Sequence, residues 1–264
     1  MSKSDNLKRF FREDGRTVIL PIDHGGAIPV KGLERPGEVI ESTRDSVDGY
    51  VVNYGVARSC RDALKGKGVC VRTDCYKPVY GDNPDEGPSR LYTADDAFAV
   101  GGSATMNMCY VHHPHESRNF QECAALISEC EELDMPVILE ALPFGIGRPD
   151  DYTVDNIGFT VRVAAELGAD VVKTAYPTNG NVDDFRAIVD AAIVPVIVLG
   201  GAAMGDDAAL LKLVRDSMDA GASGIAIGRN VWQHSNPAAM AAALSSIVHE
   251  DASAESALKL VSQA

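Results

Sequence analysis

Eight short aliphatic runs recur along the chain, each followed by a stretch of helical periodicity, and that alternation restricts the possible folds more than any other feature. The runs lie at 17–22, 49–54, 68–72, 105–111, 136–142, within 169–177, and at 194–199 and 223–227. Their β-branched character and their Gly or Pro boundaries read as buried strands. Helices are predicted over 35–47, 59–64, 93–100, 116–133, 155–167, 183–192, 206–220, 237–248 and 255–261, with Gly168 and Gly221 placed as C-terminal caps. In 116–133 the apolar face is read as Phe120, Ala124, Ile127 and Cys130. Ahead of the first run, 4–13 puts Leu7, Phe10 and Phe11 on one face, so it reads as a short N-terminal helix packed outside the rest of the chain. A strand-to-strand spacing of roughly thirty residues is that of a βαβ unit. Parallel strands with right-handed crossovers are implied, and eight of them in about 250 residues predict an α/β closed (β/α)8 TIM barrel, one domain spanning 1–264. The rival is an open doubly wound sheet, but no GxGxxG follows the first strand.

Composition suits this architecture and narrows the function. Of 264 residues, 45% are hydrophobic and 6% aromatic, with 24 glycines, as expected of aliphatic strands joined by tight turns. A net charge of −14 argues against nucleic acid as a partner and leaves room for a local basic pocket. No segment approaches the roughly 18 uninterrupted apolar residues that cross a bilayer, and 1–9 lacks the apolar stretch of a signal peptide. The chain is therefore expected to be cytoplasmic, with no membrane partner. Cys60, Cys70, Cys75, Cys109, Cys123 and Cys130 form no CxxC and no zinc-type cluster, and read as small buried hydrophobes. His112, His113 and His115 do cluster, but no second ligand group stands at helical or hairpin spacing. They read as a polar loop at a strand end, and no metal is assigned.

Active sites of such barrels lie at the carboxyl ends of the strands. The residues expected there are Asp23 and His24, Asn53, Arg72 and Asp74, Glu140, Lys173 and Tyr176, the pair Gly200 and Gly201, and Gly228 with Arg229. Lys173 ends a buried strand, where desolvation disfavours an ammonium and favours the free amine that attacks a carbonyl. The plainer alternative is a stem that covers apolar surface while its head reaches water. Glycines after the last two strands, with Arg229, can present backbone N–H groups and a guanidinium to a phosphate, at the place where barrels bind one. Taken singly, each pair could merely end its strand tightly. The aperiodic stretch 73–90 carries several prolines and reads as a lid or an oligomer contact.

The runs Leu20-Pro-Ile-Asp-His-Gly25, Val172-Lys173-Thr174 and above all Gly221-Ala-Ser-Gly-Ile-Ala-Ile-Gly-Arg-Asn-Val-Trp-Gln233 resemble the class I aldolase superfamily that includes archaeal-type fructose-bisphosphate aldolases and the autoinducer-2 phosphate thiolase. The resemblance covers essentially the whole chain. It implies the barrel fold, a Schiff base on Lys173, proton transfer at the carbinolamine by Asp23, and substrate phosphate held by Gly200, Gly201, Gly228 and Arg229. It implies a small phosphorylated ketose or diketone as substrate, no cofactor, and a ring-shaped homo-oligomer, in some members a decamer. The chain departs from the aldolase pattern in three places. Leu142 stands where those aldolases have an acid/base tyrosine, Arg72, expected among the residues that bind substrate or its phosphate, where they have a lysine near the substrate, and Leu199 where a serine is common. A leucine cannot transfer a proton, so Glu140, Tyr176 or His24 takes that role or the reaction differs. The expected activity is carbon–carbon lysis through a lysine Schiff base. A transaldolase- or thiolase-like transfer and a non-catalytic metabolite sensor are the alternatives.

Overall fold

The computed structural model describes residues 2–26, 31–75, 89–143 and 152–263. The strands β1 (Thr17–Pro21), β2 (Gly49–Asn53), β3 (Gly68–Arg72), β4 (Ala104–Val111), β5 (Val137–Pro143), β6 (Val171–Thr174), β7 (Val196–Leu199) and β8 (Gly224–Ala226) close into a barrel in the order β1-β8-β7-β6-β5-β4-β3-β2. Every neighbouring pair is parallel, and closure is made by β1 on β8, with Thr17 opposite Gly224. The expected closed (β/α)8 barrel is therefore the observed fold, with helices connecting its strands.

Alternation along the strands sorts side chains into two cores. Val18, Leu20, Tyr50, Val52, Val69, Val71, Val172 and Val196 face outward against the helices. Ile19, Val51, Cys70, Ala104, Met106, Ile138, Val171, Ile197 and Ala226 fill the barrel interior together with Phe10. Phe10 closes the amino end of the barrel. A Cβ at Gly49 or Gly68, the first residues of β2 and β3, would come within 2.6 Å of its ring. This corrects the expectation of a helix packed outside. The helix stops at Leu7, and the residues after it turn Phe10 into the interior, where a buried aromatic is worth more than one laid on the surface.

Other departures have local causes. Asn53 leads directly into the helix Tyr54–Ser59, so the helix expected at 59–64 begins and ends earlier. The helix Glu116–Glu132 buries Asn119, Cys123, Leu126 and Cys130, one residue out of step with the expected face except at Cys130. Asn119 holds that register: it accepts the Tyr110 N–H at 2.8 Å and donates to the Met108 carbonyl at 3.0 Å, and a polar position on the core face is invisible to a count of apolar residues. The helix Val154–Leu167 ends at Gly168 with φ of 107°, the cap that was expected. Within 73–90, the stretch read as a lid or an oligomer contact, Asp74–Cys75 pairs antiparallel with Ser89–Arg90, and 76–88 lie outside the described residues. Of the histidine cluster, His113 stacks on Tyr110 and His112 on Phe159. Among the described residues no group of three or more His, Cys, Asp or Glu is placed to hold a metal, and no helix is long and apolar enough to cross a membrane.

Candidate active site

The site is built by carrying the interior register one step further toward the carboxyl ends of the strands. Val51, Cys70, Ile138 and Val171 belong to the apolar interior. Two residues beyond them, on the same face, stand Asn53, Arg72, Glu140 and Lys173. In register, Glu140 is opposite Lys173 and Asn53 opposite Arg72. A polar layer thus lies directly on an apolar one, with Asp23 supplied from the end of β1.

These side chains form one buried ionic network. Lys173 Nζ lies 2.8 Å from Glu140 Oε1, with the two side chains 6% and 12% exposed. The Arg72 guanidinium, 2% exposed, donates through Nε to Asp23 at 2.5 Å, through Nη1 to Asp74 at 3.1 Å and through Nη2 to Glu140. Asp74 also accepts the Met108 backbone N–H at 2.8 Å, and Asn53 donates to the Asp23 carbonyl at 2.7 Å. Burial opposes ionisation of Glu140, but Lys173 and then Arg72 outweigh it and bring its carboxyl down to about 2. Burial likewise works against Asp23, and Arg72, His24 and Lys173 still hold it below the usual carboxylate range. Burial pushes the Asp74 carboxyl up, with Arg72 only partly opposing it. The protein therefore places two carboxyls that favour ionisation, Asp23 and Glu140, beside one lysine in a layer buried from bulk solvent.

His24 sits at the rim. Its Nδ1 is 3.5 Å from Asp23 Oδ1 and has no hydrogen-bond partner among the described residues. Its ring meets Trp232 edge-on at 5.3 Å. Burial lowers its pKa, aided by Lys173 and Arg229, and Asp23 only partly offsets them. Trp232 donates to the Pro21 carbonyl at 3.1 Å, and Gly228 is wedged into this corner. A Cβ there would lie 2.6 Å from the Pro21 carbonyl oxygen and 3.0 Å from the His24 ring.

The loops after β7 and β8 meet as expected, through a residue that local sequence patterns did not single out. Asn230 accepts the Met204 N–H at 2.8 Å and donates to the carbonyls of Gly200 at 3.0 Å and Ala202 at 3.1 Å. A recognisable signal was an Asn two residues past a strand-ending glycine, where a short helix, Arg229–Trp232, begins. Gly201 has φ of 63° and open space where a Cβ would point. Arg229 Nε is buried without an acceptor among the described residues.

Two expected site residues are placed differently. Tyr176 is not brought to Lys173: its ring packs on Phe185 at 4.9 Å, and burial together with Asp216 and Asp184, both on outer helices, raises its pKa. It lies two residues past the end of β6, where strand alternation no longer sets side-chain direction. Arg72 is not available to a substrate phosphate, because Asp23, Asp74 and Glu140 already take its donors. It serves the acids of the site instead.

The DeoC/LacD family aldolase profile matches residues 17–234. The chain is 35% identical over 258 residues to the 2-amino-3,7-dideoxy-D-threo-hept-6-ulosonate synthase of Halobacterium salinarum, covering 97% of this chain and 95% of that one. It is 31% identical over 251 residues to synthase 1 of the same name from Archaeoglobus fulgidus, covering 94% and 92%. An archaeal fructose 1,6-bisphosphate aldolase structure is similar with a TM-score of 0.85 at 27% identity, covering 94% of this chain and 100% of that one. A structure of an archaeal fructose-1,6-bisphosphate aldolase whose catalytic lysine is covalently bound to the carbinolamine intermediate is similar with a TM-score of 0.84 at 27% identity, covering 94% and 99%. With the family profile spanning most of the barrel and these relatives spanning nearly the whole chain, the protein belongs to the DeoC/LacD family of class I aldolases, enzymes that work through a lysine Schiff base.

Proposed function

We propose that the chain cleaves and forms the carbon–carbon bond between the α and β carbons of a small phosphorylated ketose, with Lys173 as the Schiff-base residue. The observation that carries this reading is the buried Lys173–Glu140 pair, 2.8 Å apart, at the carboxyl end of the barrel. Glu140 takes the ammonium proton, and the freed amine adds to the ketone. Asp23 relays an amine proton to the carbonyl oxygen as the carbinolamine forms. Glu140 then returns its proton to the hydroxyl, which leaves as water, and the nitrogen becomes a cationic iminium. For cleavage, Glu140 accepts the proton of the β-hydroxyl while the bonding pair moves toward the iminium nitrogen. An aldehyde departs and a neutral enamine remains. Glu140 protonates the enamine carbon, and hydrolysis frees the shorter ketone.

The substrate phosphate is assigned to the N–H groups of Gly200, Gly201 and Gly228 and to the Arg229 guanidinium, a reading supported by the buried, unpartnered Arg229 Nε and the open face at Gly201. The chain's identity of 35% to a hept-6-ulosonate synthase, against 27% to the fructose-bisphosphate aldolase structures, favours a second reading of the last step. In it the enamine carbon on Lys173 adds to the carbonyl carbon of an acceptor in place of a proton, and Glu140 gives its proton to the acceptor oxygen, which becomes a hydroxyl. A homo-oligomer belongs to the same reading, supported by exposed Leu91, Phe98, Phe159 and Ile193.

Borohydride reduction in the presence of dihydroxyacetone phosphate, fructose 1,6-bisphosphate and phosphorylated diketones tests the assignment. The expected result is a stable adduct on the peptide holding Lys173, absent from a folded Lys173→Met protein that has lost turnover. Turnover retained by Lys173→Met would sink the assignment. Product analysis with and without an added acceptor separates lysis from transfer.

A further inference from the structure

Asp74 has no part in the reaction above, yet its side chain is inaccessible to solvent. Both of its oxygens are engaged as acceptors, one by Arg72 Nη1 at 3.1 Å and the other by the Met108 backbone N–H at 2.8 Å. Burial pushes its pKa up, yet both oxygens face N–H donors, the arrangement of a carboxylate paired with Arg72 rather than of a neutral acid, and a buried carboxylate is costly unless it is so paired. The backbone need alone does not call for a charge. Pairing of β3 with β4 ends at Arg72 opposite Met106, so the Met108 N–H needs an acceptor, but a neutral amide oxygen would serve. What only a carboxylate supplies is an anion against the third edge of the Arg72 guanidinium, whose other two edges meet Asp23 and Glu140.

The geometry points to Asp74 as a positioning residue: anchored to β4, it holds the Arg72 guanidinium so that one edge faces Asp23 and another Glu140, and it shares the cation among three carboxylates. The inference rests on the Schiff-base reading of Lys173 and Glu140. Without Asp74, the charge of Arg72 acts on the two proton-transferring acids alone and makes both poorer bases. The charged groups that act on Asp74 are Arg72 on β3 and Glu140 on β5; those that act on Asp23 and Glu140, the acids it would tune, are Arg72, His24 after β1 and Lys173 on β6, with Arg229 after β8 acting on His24.

Asp74→Asn keeps an acceptor for Met108 and removes the charge. The expected outcome is a folded protein that still gives the Lys173 adduct with borohydride. Its kcat should fall by about 10- to 100-fold at nearly constant KM, with the acid limb of its kcat profile displaced to lower pH by about one unit. A purely structural Asp74 would lower Tm and leave that limb in place. Non-additivity with Arg72→Lys in a double-mutant cycle is the second expected sign. If Asp74→Asn does not fold, Asp74→Glu, which keeps the charge and moves it by one methylene, should lose kcat to a similar degree. Wild-type trapping at Lys173 together with an unchanged kcat and pH profile in the variant overturns the role of Asp74 and leaves the Schiff-base reading standing. No trapping in the wild type overturns both.

Discussion

At the scale of single residues, Glu140 is the group whose behaviour follows most directly from its surroundings. Burial alone favours its protonated form, and the Lys173 cation is the largest influence in the other direction, ahead of Arg72. Under the Schiff-base reading the nitrogen of Lys173 stays positive as ammonium and iminium but becomes neutral as enamine. The main force holding Glu140 ionised therefore disappears at the moment the β-hydroxyl proton must be accepted, and returns when that proton is passed to carbon. Glu140→Gln should accordingly separate the two halves of the reaction. Adduct formation on Lys173 should persist, slowed, while the release of aldehyde falls by roughly 10² to 10⁴, as single-turnover kinetics would show. Equal loss of both halves would mean that Glu140 only pairs with the lysine. Tyr176, by contrast, packs its ring on Phe185, and the proposed reaction assigns it no proton.

At the scale of elements, the connection that matters most is between the loops following β7 and β8. Asn230 uses both ends of its amide to join them, so the phosphate assignment depends on one side chain that does not touch the anion. Asn230→Ala should raise KM for a phosphorylated substrate by about tenfold, the worth of one ordinary polar interaction, with kcat changed far less. Trp232 is the single tryptophan of the chain and packs against His24 beside Gly228. Its fluorescence on titration with inorganic phosphate should show the same weakening. An unchanged phosphate affinity in Asn230→Ala would show that the two loops hold their shape without the tie.

At the scale of the whole molecule, the amino and carboxyl ends of the barrel have different tasks. The carboxyl end carries the charged network, and the amino end is sealed by Phe10 and locked by an ionic cluster. His249, 5% exposed, contacts Asp14 through Nδ1 at 2.7 Å and Asp48 through Nε2 at 3.0 Å. Arg12 pairs with Asp48 at 2.6 Å, and Asp48 also accepts the Val18 N–H at 2.7 Å. The cluster joins the helix Pro237–Glu250 to the segment that carries Phe10. Burial opposes the imidazolium, but Asp48 and Asp14 outweigh it, so His249 titrates above its ordinary value. A raised folded-state pKa means that the stabilisation is fully present below about 6.5, the unfolded value, and fades as pH rises through the folded value. His249→Ala should therefore lose about 1.5 to 3 kcal/mol at pH 6 and distinctly less at pH 9, measured by urea unfolding at the two pH values. A loss that does not vary with pH would assign His249 to packing alone.

The sequence by itself determined the properties that depend on local order. The alternation of strands and helices specified a (β/α)8 barrel, and the ends of the aliphatic runs placed Arg72, Glu140 and Lys173 at its carboxyl mouth, because the extent of a strand is set by neighbouring residues alone. The cap at Gly168 and the glycines ending β7 and β8 were legible for the same reason. What only the tertiary structure decided are relations across the barrel. β3 neighbours β2 and β4, yet Arg72 reaches Asp23 at the end of β1 and Glu140 on β5 through the interior. That span is set by closure of the sheet, which no local pattern encodes. Closure therefore turned Arg72 from an expected phosphate ligand into the shared partner of three acids. The same holds for Phe10 entering the barrel between Gly49 and Gly68, and for Asn230 reaching Gly200 thirty residues away. Each depends on which distant backbone arrives beside it once the barrel has closed.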